Sequence, residues 1–437
     1  MEKDHLTIAV IGYVNAGKST ALGHLLSDIA TKENNPIRFP NQAGTGREMF
    51  KYAWLLDTLK SERDRGITMD ITHCKIELDH RIYTFIDTPG HSRYLKNMIT
   101  GTSQAEVAVL LVPAPVGEYE EAGLSFTRNL AILAFSFGLK QIIVLVNKMD
   151  DGSVAFSKQR YNDIREDILV CVKRVGYDLE NVSVIPTSGW HGDNLLIRSS
   201  RMSWYSGPTL MECLNNVTVP IRPVDKPLRI PVQQVYKIGK EVIVTGRVAT
   251  GVLKVGMAVT FAPYLISSST SRVQSIQLHR KPVQEAHPGQ YVGFTLNLSF
   301  NNRIRRGFVV SDSSNDPAAD CEAFDAQVII INHPTTIRNG YTPITDCHTA
   351  HIACEWKIRQ KLDRKTQTTV EEEPAFLKNG DMALVTMRPV KPMCVETYST
   401  FPALGRFVVR DQRQIIAVGI IKSKMGLSVL KTKSAKK

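Results

Sequence analysis

Gly12-Tyr-Val-Asn-Ala-Gly-Lys-Ser19 is the stretch that decides how this chain folds. It follows Leu6 to Ile11, an apolar run of strand length. It precedes Leu22, Leu25, Leu26 and Ile29, which recur at helical spacing. A strand, a glycine-bracketed turn and a helix starting near Lys18 are therefore expected. Such a turn aims successive backbone N–H groups and a helix N-terminus at an anion. Asn15, Ala16, Gly17, Lys18, Ser19 and Thr20 are accordingly candidate nucleotide-binding residues. Lys18 would neutralise outer phosphates, and the Ser19 hydroxyl would bind Mg²⁺. Read alone, the stretch is also compatible with a plain glycine turn.

Four further segments follow in order: Arg65-Gly-Ile-Thr68, Asp87-Thr-Pro-Gly-His91, Asn147-Lys-Met-Asp150 and Thr187-Ser-Gly-Trp190. Asp87 ends the apolar run from Ile82, where a carboxylate suits a water-mediated metal contact. Gly90 can turn its N–H toward a γ-phosphate. Thr68 offers oxygen to the metal from a loop that γ-phosphate and Mg²⁺ would order. Asn147, Lys148 and Asp150 follow the strand-like Gln141 to Val146. A carboxylate there accepts from both N1–H and the exocyclic amine of guanine, a donor pair adenine lacks. Ser188, Gly189 and Trp190 would bring backbone N–H groups toward guanine O6. His91, beside the γ-phosphate loop, is the candidate catalytic residue that positions the attacking water. Five such segments in one order predict GTP and GDP as ligands, with Mg²⁺.

The composition sets the outer bounds. A chain of 437 residues implies two to four domains. Its 43% apolar and 22% charged content is that of a soluble globular protein. No apolar run is long enough to span a membrane, and the N-terminus lacks a signal-peptide pattern. Seven cysteines without CxxC spacing predict reduced thiols and a cytoplasmic location. A net charge of +12 fits a polyanionic partner. Residues 408–437 hold eight Lys or Arg against one Asp, so the surplus is concentrated near the end. Lys431 to Lys437 reads equally as a solubilising tail or an RNA contact.

Apolar strand-like runs alternate with helical stretches up to about residue 220, the pattern of a doubly wound α/β domain. Examples are the strand Val107–Val112, a helix over Leu124–Phe137 and the strand Ile142–Val146. Pro220, Pro223 and Pro227 mark a linker. Beyond it, short β-rich segments with glycine or proline turns predict two β-barrels, divided by the polar stretch Ser311 to Asp320. The expected domains are residues 1–222, 223–316 and 317–437. Cys347, His348, His351 and Cys354 resemble metal ligands. On one strand, Cys347 and His351 would face one way and the other two the opposite way, so no zinc site is expected.

Longer stretches carry a family likeness. They include Phe50-Lys-Tyr-Ala-Trp54, Lys60–Asp70, Lys96-Asn-Met-Ile-Thr-Gly-Thr-Ser-Gln104, Asp346–Cys354 and Lys391–Glu396. Over nearly its whole length the chain resembles the eukaryotic translation elongation factor 1-alpha family. The resemblance implies a P-loop GTPase domain followed by two β-barrels. It implies delivery of aminoacyl-tRNA to the ribosomal A site, GTP hydrolysis after codon matching and a guanine-nucleotide exchange factor as partner; a monomer is expected. His91 matches the family's catalytic histidine, and Val14 and Ile67 match the apolar pair flanking it. His279 and Gln277 match the segment that receives the aminoacyl end of tRNA. Departures occur. Tyr13-Val14-Asn15 replaces the family's His-Val-Asp, which removes a charge implicated in binding a monovalent cation. Gln277 and Ala249 stand where Glu is usual, and Asn129-Leu130 replaces Glu-His. A divergent paralogue acting in ribosome surveillance, recycling or dormancy is the second reading.

Overall fold

Leu6 to Ile11 lies inside β1 (Asp4–Gly12), which is buried along its length after Asp4. The computed structural model describes residues 4–33, 50–57, 59–78, 81–238, 241–263, 271–278, 281–296, 304–412 and 414–426. It divides into two units, Met1–Ile221 and Arg222–Lys437. The first unit continues with α1 (Lys18–Lys32), α2 (Lys60–Arg65), β2 (Thr72–Glu77) and β3 (Arg81–Asp87). Next come α3 (Leu95–Ser103), β4 (Val107–Pro113), α4 (Glu118–Ser136) and β5 (Gln141–Asn147). α5 (Lys158–Val175), β6 (Val182–Pro186) and α6 (Leu210–Asn216) complete it.

The strands form one sheet in the order β2-β3-β1-β4-β5-β6. β2 runs antiparallel to β3, and the remaining pairs are parallel. Helices cover parallel sheets on both faces, so their strands read as continuous apolar runs. β4, Val-Ala-Val-Leu-Leu-Val-Pro, is buried at every position. β1 has β3 on one side and β4 on the other, so strand order reverses there. Ligands bind at such reversals, beyond the carboxyl ends of the strands. Four of the five segments follow those ends. α4 begins at Glu118, earlier than its apolar spacing suggests. Its first turn is polar, and Glu120 accepts the Gly117 N–H at 2.7 Å. Gly123, at φ 66°, then interrupts the helical backbone.

The second unit holds two closed six-strand barrels. The first ring runs through Ala258–Ala262, Val309–Asp312, Ile230–Ile238, Glu241–Arg247, Tyr291–Leu296 and Ser271–Leu278, and closes between its end strands. Alternation sets its inside. Val242, Val244 and Gly246 pair with Leu296, Phe294 and Val292, and all six are buried. The second ring runs through Ile344–Cys347, Arg406–Asp411, Gln414–Gly426, Cys321–Ile330, Met382–Pro389 and Ala350–Leu362, and also closes. Among the described residues, no helix is long and apolar enough to cross a membrane.

The four metal-like residues do not share one strand. The chain reverses at His348 and Thr349, with His348 at φ 44°, and pairs Cys347 with Ala350. Histidine tolerates this left-handed conformation better than most residues, and alternation counted through the turn misplaces the later side chains. His351 Nδ1 lies 2.5 Å from Asp346 Oδ1, and His348 Nε2 lies 2.9 Å from the Cys394 carbonyl.

Arg229 ties the two barrels. It is buried, and its Nε donates to Glu396 Oε1 at 2.9 Å. It also donates to the Asp316 carboxylate and carbonyl, each at 2.8 Å, and lies over the Phe401 ring. Glu396 is buried too and takes a second cation, Lys424. Removing one partner of a buried pair leaves a charge without compensation. Arg229→Met would leave Glu396 with Lys424 alone and is expected to lower the stability of this unit by about 1–3 kcal/mol, read from the urea midpoint. An unchanged midpoint would assign the junction to apolar packing alone.

Candidate active site

The phosphate loop joins β1 to α1 through two left-handed residues, Asn15 at φ 60° and Gly17 at φ 86°. A Cβ on Gly17 would lie 2.4 Å from Asn147 Nδ2, so side-chain-free backbone is required there. Lys18 is buried, and its Nζ donates to the Tyr13 carbonyl at 2.9 Å. Burial pulls its ammonium down to about 8, against the opposing pull of Asp87. A bound anion would push it back up. A Cβ on Gly90 would come within 2.7 Å of the Tyr13 carbonyl and 2.8 Å of the Gly12 carbonyl, backbone atoms that keep this approach open only to glycine. Asn15, Gly17, Lys18, Ser19, Thr20, Thr68 and Gly90 all line one cavity of about 510 Å³. Ala16 lies beneath it, fully buried. Tyr13 packs edge-on against Phe126, 5.1 Å between ring centres.

Oxygen ligands converge at one end of the cavity. Ser19 Oγ donates to Asp87 Oδ2 at 2.6 Å and lies 3.0 Å from Thr68 Oγ1. Thr68 Oγ1 in turn lies 3.5 Å from Asp57 Oδ1. Asp57 had no role in the sequence reading. It is buried and lines the cavity. Burial pushes the Asp57 carboxyl up to about 7, with the negative charges of Asp87 and Glu62 adding to it. Burial likewise lifts Asp87 to about 6, while Ser19 and Lys18 pull the other way. Asp87 Oδ1 is buried without a hydrogen-bond partner. Two carboxylates, one of them with an unmatched oxygen, and two hydroxyls are a hard-cation set, and they fit Mg²⁺.

The two segments expected to read the base sit at the ends of β5 and β6. Asn147 is an internal staple: Oδ1 accepts the Gly189 N–H at 2.8 Å, and Nδ2 donates to the Ala16 carbonyl at 2.8 Å. It thereby joins the phosphate loop to the loop after β6. Two of the three N–H groups expected to face guanine are turned inward, since Ser188 N–H points to the Asp193 carbonyl at 3.4 Å. Trp190 packs edge-on against Tyr52. Lys148, at φ 65°, lines the cavity and is paired with both Glu118 oxygens, at 2.7 and 3.0 Å. Asp150 is half-buried on the same turn, which is pinned by the buried Met149.

Val14 and Ile67 line the cavity beside Gly90. His91 follows Gly90 and caps a short turn, Ser92–Tyr94, its Nδ1 accepting the Arg93 N–H at 3.1 Å. In the second unit, Gln277 is exposed on the strand Ser271–Leu278, opposite Gly293 and Pro282. His279 and the basic end Lys431 to Lys437 lie outside the described residues.

The model for the elongation factor Tu GTP binding domain matches residues 3–220. Those for elongation factor Tu domain 2 and the GTP-eEF1A C-terminal domain match residues 241–311 and 323–422. The chain is 49% identical to elongation factor 1-alpha, oocyte form, of Xenopus laevis, over 100% of this chain and 98% of that one. It is also 49% identical to elongation factor 1-alpha of Tetrahymena pyriformis, over 96% and 98%. The S. cerevisiae Ski7 GTPase-like domain, bound to GDP and inorganic phosphate, shares the fold at a TM-score of 0.76 and 19% identity, over 96% of this chain and 97% of that one. Likeness of this degree along the entire chain makes it a member of the elongation factor 1-alpha family, the translational GTPases of protein synthesis.

Proposed function

We propose that this translation elongation GTPase carries aminoacyl-tRNA to the ribosomal A site and hydrolyses GTP there, in the cytoplasm and as a monomer, with an exchange factor to release GDP. The observation that carries the reading is the convergence of Lys18, Ser19 and Thr68 on one cavity, with Asp87 buried behind the Ser19 hydroxyl, in a chain with full-length family likeness. Lys18 neutralises the outer phosphates. Ser19 and Thr68 hold Mg²⁺, with Asp87 and Asp57 behind them. When bound, the metal supplies charge neutralisation at the phosphate oxygens. The Gly90 N–H faces the γ-phosphate. Asn147 holds the base loops together, the Lys148 stem covers the base and Asp150 reads its edge. His91 gives up its hydrogen bond to Arg93 and turns to the attacking water.

Charged tRNA is the decisive ligand, because phosphate contacts cannot sense an amino acid. Specificity for the aminoacyl end is assigned, by the family resemblance, to the segment that holds Gln277 and His279. In filter binding with a non-hydrolysable GTP analogue, charged tRNA is expected to bind at least about 100-fold better than uncharged tRNA, the scale of about 3 kcal/mol. GDP is expected to erase the difference. Affinity is expected to fall steeply with salt. Equal binding of the two tRNAs would remove the delivery role and favour surveillance, recycling or dormancy.

A further inference from the structure

Glu62 reads in the sequence as one more charge in the run Lys60–Arg65. The structure buries it to 1% exposure while its helix neighbours Ser61, Arg63, Asp64 and Arg65 stay exposed. Its carboxylate takes three backbone N–H groups. Oε2 accepts from Leu59 at 3.0 Å, ahead of α2. Oε1 accepts from Met69 at 2.9 Å and Asp70 at 3.1 Å, directly after Thr68. Its own carbonyl accepts the N–H groups of Gly66 at 2.7 Å and Ile67 at 3.3 Å, directly before Thr68. One residue therefore brackets Thr68 on both sides. A further tie holds the far side, where Asn97 Nδ2 donates to the Met69 carbonyl at 2.9 Å. Burying a carboxylate is costly unless its oxygens are matched, and here each oxygen has a donor.

We propose that Glu62 is the positioning residue that aims the Thr68 hydroxyl at the metal and γ-phosphate end of the cavity, and so sets the preference for GTP over GDP. The inference rests on the guanine-nucleotide reading of that cavity. Thr68 serves only the part of the site that a third phosphate and its metal occupy. Lys18, the phosphate-loop N–H groups and the base loops are held by other bonds. Loosening the Thr68 loop should therefore penalise GTP and spare GDP. A general structural role would weaken both.

The test uses the full chain, a β,γ-imido GTP analogue and GDP. Glu62→Ala removes all three acceptor contacts. Glu62→Gln keeps the volume but turns an N–H toward at least one of the backbone donors. In Mg²⁺, Glu62→Ala is expected to bind the analogue about tenfold more weakly, the scale of hydrogen bonds to a charged group. Its GDP affinity should stay within about twofold, and Glu62→Gln should show the same pattern at smaller size. The difference between analogue and GDP should vanish in excess chelator. Equal losses for both nucleotides, or no loss for either, overturn the proposal, and Glu62→Gln decides it if Glu62→Ala does not fold. A wild-type chain that binds neither nucleotide overturns the cavity reading and this inference together. Wild-type binding with equal losses overturns this inference alone.

Discussion

Asp150→Asn is expected to lower GTP affinity by about 10²- to 10⁴-fold and to raise affinity for xanthosine triphosphate. The magnitude comes from two charge-assisted hydrogen bonds of about 1.5–3 kcal/mol each, from the N1–H and the exocyclic amine of guanine. Asparagine keeps the shape of the side chain but sets a donor against one of those donors. Xanthine carries a carbonyl where guanine carries the amine, so the new amide finds a partner. The backbone should not move. The turn is fixed from below by the buried Met149, whose N–H donates to the Thr187 carbonyl at 3.1 Å. Asp150 is half-buried beside it. Nucleotide titrations of the wild-type and variant chains check this. GTP affinity unchanged in the variant would move base recognition away from Asn147–Asp150.

The phosphate loop was legible because it is local. A short run of residues carries both the left-handed turns and the helix start, so spacing alone predicts where the N–H groups point. Asp87 was legible for a similar reason, since it ends an apolar strand. Asp57 and Glu62 were not. Each sits in a charged or mixed stretch, and only the folded chain shows that both side chains are buried. Asn147 illustrates an intermediate case. Its position at the end of β5 was readable, but its bonds reach Ala16 and Gly189, residues far away in sequence. The barrels followed from short β-rich segments with glycine or proline turns. The hairpin at His348 did not, because nothing in the run Asp346–Cys354 announces a turn through glycine or proline. α4 began early for the converse reason: a polar first turn has no apolar period to read.

The same division between binding and chemistry shapes the expectation for His91→Ala. Ribosome-stimulated GTP hydrolysis should fall by roughly 10²-fold or more, the scale of a lost positioning or acid–base group. GTP affinity should stay within a few-fold, because the groups that hold the nucleotide do not depend on this ring. Lys18 is fixed by the Tyr13 carbonyl, Ser19 by Asp87 and Thr68, and the base loops by Asn147. The ring itself is lightly tethered. Its Nδ1 accepts the Arg93 N–H at 3.1 Å as the cap of a three-residue turn. Losing that cap costs about 1 kcal/mol locally, no more than the few-fold change in affinity expected. The apolar pair Val14 and Ile67 remains in place on the cavity wall. Single-turnover phosphate release on ribosomes, measured beside equilibrium binding of the GTP analogue, separates the two effects. A stimulated rate near wild type would assign water positioning to another residue, and a parallel fall in affinity would make His91 a structural member of the loop after β3.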